Sequence, residues 1–84
     1  MSTGLREDER MAVYYEYRYR YRRGDVAQCG GMAYAFLKDC IADAKRRLEW
    51  DKKILGGIIE IWSFDMKDLR DEDRLSKFVR YVTR

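Results

Sequence analysis

Residues 11–22 read MAVYYEYRYRYR, and this stretch decides how the fold begins. Met11, Val13 and four tyrosines occupy its odd positions, whereas Glu16 and three arginines occupy later even positions. Alternation with a period of two favours a β-strand, because a helix would distribute the tyrosines around its axis. The stretch therefore predicts a long strand with opposite faces, formed by Tyr15, Tyr17, Tyr19 and Tyr21 on one side and by Arg18, Arg20 and Arg22 on the other.

The segment after this strand indicates a hairpin. Arg23-Gly24-Asp25 has the composition of a tight turn, since glycine readily adopts the positive φ that such turns need. Residues 26–29 would form a short return strand, which Gly30-Gly31 would end.

Residues 33–55 carry the clearest helical pattern. Their apolar side chains recur at helical spacing, at Ala33, Leu37, Cys40, Ile41, Ala44, Leu48 and Leu55. Gly56-Gly57 is expected to end this helix, because a glycine commonly follows the last helical turn.

The remaining sequence predicts a second main strand and a second helix. Residues 58–64 (IIEIWSF) are β-branched and largely apolar, as in a central strand. Residues 71–83 place Leu75, Phe78, Val79 and Val82 at the i, i+3, i+4, i+7 spacing of a helix, with acidic residues at its start.

These elements predict an α+β fold of order β-(β)-α-β-α. We expect a small sheet of two to three strands with two helices packed on one face, and the helix between the main strands permits a right-handed parallel crossover. The predicted core is Leu37, Ile41, Leu48, Ile59, Ile61, Phe78 and Val79. Residues 1–10 lack apolar periodicity and are expected to be a flexible tail, so residues 11–84 form a single domain.

Composition limits the classes of protein to which the chain can belong. It has 84 residues, of which 46% are hydrophobic and 39% charged, a mixture that suits a globular domain. No apolar run approaches a membrane span, and the polar N-terminus has no signal-peptide core, so a cytoplasmic protein without membrane contact is expected.

The residue types also argue against catalysis and against a metal or cofactor site. The chain has no histidine, and Cys29 and Cys40 alone cannot complete a structural zinc site. No phosphate-binding or dinucleotide-binding glycine motif occurs. We therefore expect a protein that is not an enzyme, with no cofactor and two free thiols.

The tyrosine and arginine strand is the leading candidate for a binding site. Arg18, Arg20, Arg22 and Arg23 can contact phosphates, while Tyr17 and Tyr19 offer surfaces on which bases stack. The leading hypothesis is an accessory protein that binds nucleic acid or another phosphate-rich ligand. Because the two sets point to opposite faces, however, one flat ligand cannot use both.

Two other interpretations of this strand stay open. Its tyrosines could form the core while its arginines are simply solvated. Alternatively, the chain could be a protein–protein interaction module, such as a small inhibitor or adaptor encoded by a phage or mobile element, because Tyr and Arg are enriched at interface hot spots.

Trp50 is a further candidate for contact with a partner. It lies roughly opposite the apolar stripe of the predicted helix, where either a partner, a second copy or the N-terminal tail would cover it. We expect a homo-oligomer, because so small a core leaves apolar surface to bury.

Overall fold

One helix and four strands make up the part of the chain that the computed structural model describes, which is residues 13–30, 32–65 and 76–84. Strand β1 (Val13–Tyr19) is followed by the short strand β2 (Gln28–Cys29) and by helix α1 (Leu37–Trp50). A single 3₁₀ turn (Leu55–Gly57) leads into strand β3 (Ile58–Asp65), and strand β4 (Ser76–Thr83) follows.

The four strands form one antiparallel sheet in the order β2-β1-β3-β4. The predicted strands β1 and β3 are the two inner strands, and Tyr17 pairs with Ile61. The predicted hairpin is also present, because β2 runs antiparallel to β1 and pairs Cys29 with Arg18. Gly24 adopts a φ of 89° in the turn between them, a conformation that glycine reaches without strain.

Helix α1 covers the face of the sheet that carries the tyrosines. Cys40, Ala44 and Leu48, spaced four residues apart along the helix, are its buried residues. The sheet contributes most of the remaining buried core, namely Tyr17, Tyr19, Ile59, Ile61 and Val82. This tyrosine face is therefore the inner face of the fold, and its hydrophobic side chains stabilise the sheet against the helix.

The predicted second helix is wrong, because the structure has a strand over residues 76–83. The register between β3 and β4 shifts between Ile61 and Trp62, where Val79 is an extra residue between the partners Phe78 and Arg80. Such a bulge brings residues three apart to the same face, so Val79 packs against the core together with Val82. The spacing that resembled a helix is the spacing of a bulged strand, and Phe78, predicted to be core, is 45% exposed.

The predicted layout of two helices on a sheet of two to three strands is therefore wrong, although the fold is still α+β. The main strands β1 and β3 are antiparallel, so the parallel crossover that the element order permits does not occur. The helix also ends earlier than predicted, at Trp50, and Gly56 and Gly57 belong instead to the 3₁₀ turn, with positive φ.

Some predictions fall on other parts of the chain. The predicted tail (1–10) and the acidic start of the predicted second helix (71–75) lie outside the described residues. Within the described ranges, no helix is both long enough and apolar enough to cross a membrane.

Candidate binding surface

The predicted stacking residues Tyr17 and Tyr19 lie in the core. Each is only 5% exposed, and the two ring centroids are 6.2 Å apart. The ring of Tyr17 also stacks on Tyr34 at 6.2 Å, while the guanidinium of Arg47 lies 4.5 Å from the centroid of Tyr19. These rings are almost entirely covered by protein, so they stabilise the fold and do not form an open surface on which bases could stack.

Arg18 lies on the opposite face of the sheet, which we call the arginine face. Its Nε donates to the carboxylate of Glu16, and its Nη2 donates to the Ser76 hydroxyl at 3.1 Å. The guanidinium lies 4.5 Å from the centre of the Trp62 ring, within the range of a cation–π interaction. Arg18 is therefore held in place by a carboxylate, a hydroxyl and an indole.

Arg20 follows the end of β1 and is also paired. Its Nη1 donates to Glu60 Oε2 at 2.9 Å, and its Nε donates to the carbonyl oxygen of Asp25 at 3.0 Å. The other oxygen of Glu60 accepts a hydrogen bond from Trp62 Nε1 at 2.9 Å. The carboxylate of Glu60, on the neighbouring strand, thus compensates the charge of Arg20.

The other predicted contact residues lie elsewhere. Arg22 and Arg23 are exposed in the turn after β1, where the backbone N–H of Arg22 donates to the Asp25 carboxylate. Trp50, at the end of α1, is 64% exposed, with the Arg47 guanidinium 4.9 Å from its ring centre. Of the predicted residues, the structure brings only Arg18 and Arg20 together on the arginine face.

Aromatic side chains from β3 and β4 complete the arginine face. Strand pairing places Trp62 beside Glu16 and Phe78, and it places Glu60 beside Arg18 and Tyr81. The Trp62 and Phe78 centroids are 5.7 Å apart, and those of Phe78 and Tyr81 are 4.7 Å apart. Phe78 and Tyr81 are 45% and 56% exposed, so a run of three rings partly faces solvent.

A pocket of about 330 Å³ opens at one end of this face. Leu55 and Ile58, both more than two-fifths exposed, supply its apolar wall beside Tyr81. Arg18, Arg20 and Glu60 supply its polar wall. The pocket thus combines apolar surface with charged groups that are already oriented by hydrogen bonds.

The other end of the arginine face is closed. Glu16 is 3% exposed, and Phe64 is 3% exposed with its ring 6.3 Å from that of Tyr14. The accessible surface therefore extends from the Trp62 and Phe78 pair to the pocket.

Two titratable groups with raised pKa values, Cys40 and Tyr34, lie in or against helix α1, on the tyrosine face. Burial raises the pKa of the Cys40 thiol to about 12, with the nearby Asp43 carboxylate adding to the effect. Burial also raises the pKa of Tyr34, whose hydroxyl donates to Asp43 Oδ2 at 2.7 Å. Both groups stay neutral at physiological pH, so they act as packing residues there.

The residues that the structure describes contain no group of three or more His, Cys, Asp or Glu side chains placed to hold a metal ion. Comparison with known proteins gives no assignment either, since no protein-family model matches the chain and neither a curated protein nor a solved structure shows significant similarity. The chemistry of the arginine face is consequently the guide to function.

Sequence reasoning missed the aromatic part of this surface for two reasons. Residues 58–64 are largely apolar on both faces, so the sequence does not show clearly that Ile58, Glu60 and Trp62 share one face of the strand. The sequence pattern predicts a helix over residues 71–83, so it does not place Phe78 beside Trp62. Alternation in β3 was the available signal for Trp62, whereas nothing in the sequence marked the bulge in β4.

Proposed function

We propose that the chain binds another protein through the arginine face. The observation that carries this proposal is the exposure of Leu55, Ile58, Phe78 and Tyr81 on one surface whose arginines are already paired with carboxylates. Neighbouring exposed apolar side chains are typical of a docking site, and Trp, Tyr and Arg are the residues that dominate interface hot spots.

The pocket suits an anchoring side chain from the partner. Protein interfaces place a large apolar residue in a central pocket and surround it with polar contacts that exclude water. Here Leu55, Ile58 and Tyr81 would contact the anchor, and Arg20 with Glu60 would form part of the rim. A small inhibitor or adaptor is the kind of protein that works through such a surface.

The pairing of the arginines is the reason for preferring a protein to nucleic acid. Binding to nucleic acid gains most of its free energy when Lys and Arg neutralise phosphates. Glu16 and Glu60 already supply that neutralisation to Arg18 and Arg20. A phosphate backbone at this face would therefore lie close to two carboxylates that repel it.

One observation supports a single-stranded nucleic acid as the second candidate. The rings of Trp62, Phe78 and Tyr81 lie in succession on the same face as Arg18 and Arg20, as in proteins that stack unpaired bases. The objection that aromatic and basic groups point to opposite faces does not apply to these three rings.

Capture from a lysate of the producing cells, with and without nuclease, separates the two candidates. We expect the wild-type chain to retain a protein partner after nuclease treatment and Ile58→Asp to lose it, whereas Val26→Asp should retain it. Val26 is the matched control because it is 88% exposed in the loop before β2. Capture that nuclease abolishes, and that weakens steeply with salt, would favour nucleic acid instead.

A second copy of the chain is one partner that this surface could take, and self-association is part of the proposal. Light scattering on the purified protein should then show a dimer that Ile58→Asp dissociates. A monomer at tens of micromolar would leave a different protein as the partner. A stable interface needs roughly 800 Å² on each side, so it would extend beyond Ile58 to the other exposed residues of the arginine face.

We further propose that the protein acts in the cytoplasm. Support comes from the two thiols, because Cys29 is exposed and Cys40 is buried, and both are free. Reducing compartments keep exposed cysteines in this state.

A further inference from the structure

The two edges of the sheet differ in length. At one end the edge strand is β2, which has two residues. At the other end it is β4, which has eight, and no described residue pairs with its outer side. An edge strand of that length presents a row of backbone N–H and C=O groups that can accept another strand, whereas a very short edge cannot.

The side chains along β4 have a distinct charge pattern. Lys77 and Arg80 pair with Ser63 and Ile61 of β3, so both lie on the tyrosine face, and both are exposed. Neither forms an ion pair with another described residue, and β4 contains no acidic residue. Phe78 and Tyr81 lie on the arginine face of the same strand. The edge thus offers two exposed cations on one side and two exposed rings on the other.

We propose that the outer edge of β4 accepts an extended acidic segment of the partner protein as a fifth strand. Alternate side chains of a strand point to opposite faces, so acidic residues of that segment would face Lys77 and Arg80 while apolar residues face Phe78 and Tyr81. The inference rests on the proposed protein-binding function, because it names the element that the partner contributes.

Charge repulsion disfavours a second copy of β4 at this edge. Pairing two β4 strands would bring Lys77 and Arg80 of one chain near the same cations of the other, with no carboxylate on either strand to compensate them. Like charges on neighbouring strands destabilise the pair. The cations therefore oppose pairing of this edge with a second β4, whereas they attract an acidic strand.

The test uses a capped synthetic peptide of about eight residues that alternates Glu and Val, matched in length to β4. Two peptides serve as controls, namely a Lys-Val peptide and a Glu-Val peptide N-methylated at alternate residues, which cannot complete a strand ladder. Amide hydrogen exchange measured by NMR reports the backbone contact. We expect the Glu-Val peptide to slow exchange at those β4 amides between Lys77 and Val82 whose N–H groups point away from β3, and neither control peptide to do so.

Charge reversal tests the side-chain half of the inference. Lys77→Glu with Arg80→Glu should weaken binding of the Glu-Val peptide on the order of tenfold or more and should create binding to the Lys-Val peptide. The matched control is Lys38→Glu with Lys45→Glu, which changes the net charge equally on exposed positions of α1. A fluorescence titration of each variant gives the affinities, and circular dichroism confirms that each is folded.

Three results would overturn the inference. One is an equal loss of affinity in both double variants, and another is failure of the Glu-Val peptide to bind the wild-type chain. The third is peptide binding that shifts the NMR signals of Ile58 and Trp62 without slowing hydrogen exchange at the β4 amides. That third result would refute the edge contact while leaving the arginine face as a protein-binding surface, whereas nuclease-sensitive capture would refute the proposed function itself.

Discussion

The two faces of the sheet are built from the same strands but from different chemistry. On the tyrosine face, Ile59 and Ile61 are fully buried beneath α1. On the arginine face, Ile58 comes from the same strand and is 43% exposed. Strand alternation sorts side chains by face, while the position of the only α-helix in the described chain decides which face is covered.

Truncation of isoleucines on β3 should give the largest difference between the faces. Ile61→Ala should lower the free energy of unfolding by about 2–5 kcal/mol, because a buried side chain is lost and a cavity remains. Ile58→Ala should cost about 1 kcal/mol or less, since its side chain is already partly in water. Urea unfolding of both variants checks this pair, and equal losses would show that the arginine face is also core.

Substitution of Gly30, which adjoins the buried ring of Tyr17, should lower the free energy of unfolding by a smaller amount. A Cβ at this position would lie 2.2 Å from Tyr17 Cε1 and Cζ, closer than atoms can approach. Because the ring is packed in the core, Gly30→Ala should cost about 1–3 kcal/mol.

The control for this substitution is Gly24→Ala in the exposed turn. Nothing lies within 4 Å of its added Cβ, but its φ of 89° disfavours alanine by about 1 kcal/mol. If Gly30→Ala were no more destabilising than Gly24→Ala, Tyr17 would not be packed against this glycine. Urea unfolding again provides the measurement.

The predictions from sequence succeeded where a local pattern reports burial. The tyrosines of β1 alternate, and the apolar residues of α1 recur every three to four positions, so both elements were predicted. The pattern failed for β4, since the bulge places Val79 and Val82 at a helical spacing on one face of a strand. The abundance of β-branched and aromatic residues in SKFVRYVT was the contrary signal.

The candidate site was less accessible to sequence reasoning than the fold. Arg18 and Arg20 were identified, but their neutralisation was not, because Glu60 lies 40 residues from Arg20 in sequence. The register between β1 and β3 decides that contact. Because helix α1 lies between these two strands in the sequence, the residues of either strand alone do not predict their register. The same holds for the rings of Phe78 and Tyr81, which reach the arginine face only through pairing with β3.

The two cysteines also contrast an exposed position, Cys29, with a buried one, Cys40. The buried thiol is expected to affect the stability of the fold at alkaline pH. Burial raises the pKa of Cys40 from 9.0 to about 12 in the folded state. The thiol's contribution to stability is therefore complete below about pH 9 and is lost as the pH rises toward 12, because the unfolded chain ionises first. By about pH 10 the loss should reach about 1 kcal/mol.

Urea unfolding at neutral pH and near pH 10 measures this loss. Cys40→Ala should show a shallower fall in stability with pH than the wild type, because it removes the buried thiol. A wild-type slope that Cys40→Ala leaves unchanged would mean that other groups, such as Tyr34, account for the alkaline loss.

The smallest effect is expected from the ion pair between Arg20 and Glu60 on the arginine face. The two side chains are 38% and 20% exposed, so water screens their attraction, and the coupling free energy should be about 0.2–1 kcal/mol. A double-mutant cycle of Arg20→Ala, Glu60→Ala and both together measures that coupling in urea unfolding. Glu60→Ala also removes the hydrogen bond that Trp62 donates to Glu60, so Glu60→Gln serves as the control for that loss. A weak pair would suit the proposed function, because Arg20 could exchange the carboxylate of Glu60 for one on a partner at little cost in stability. A coupling of several kcal/mol would contradict this, and it would make Arg20 a structural residue that holds β1 to β3.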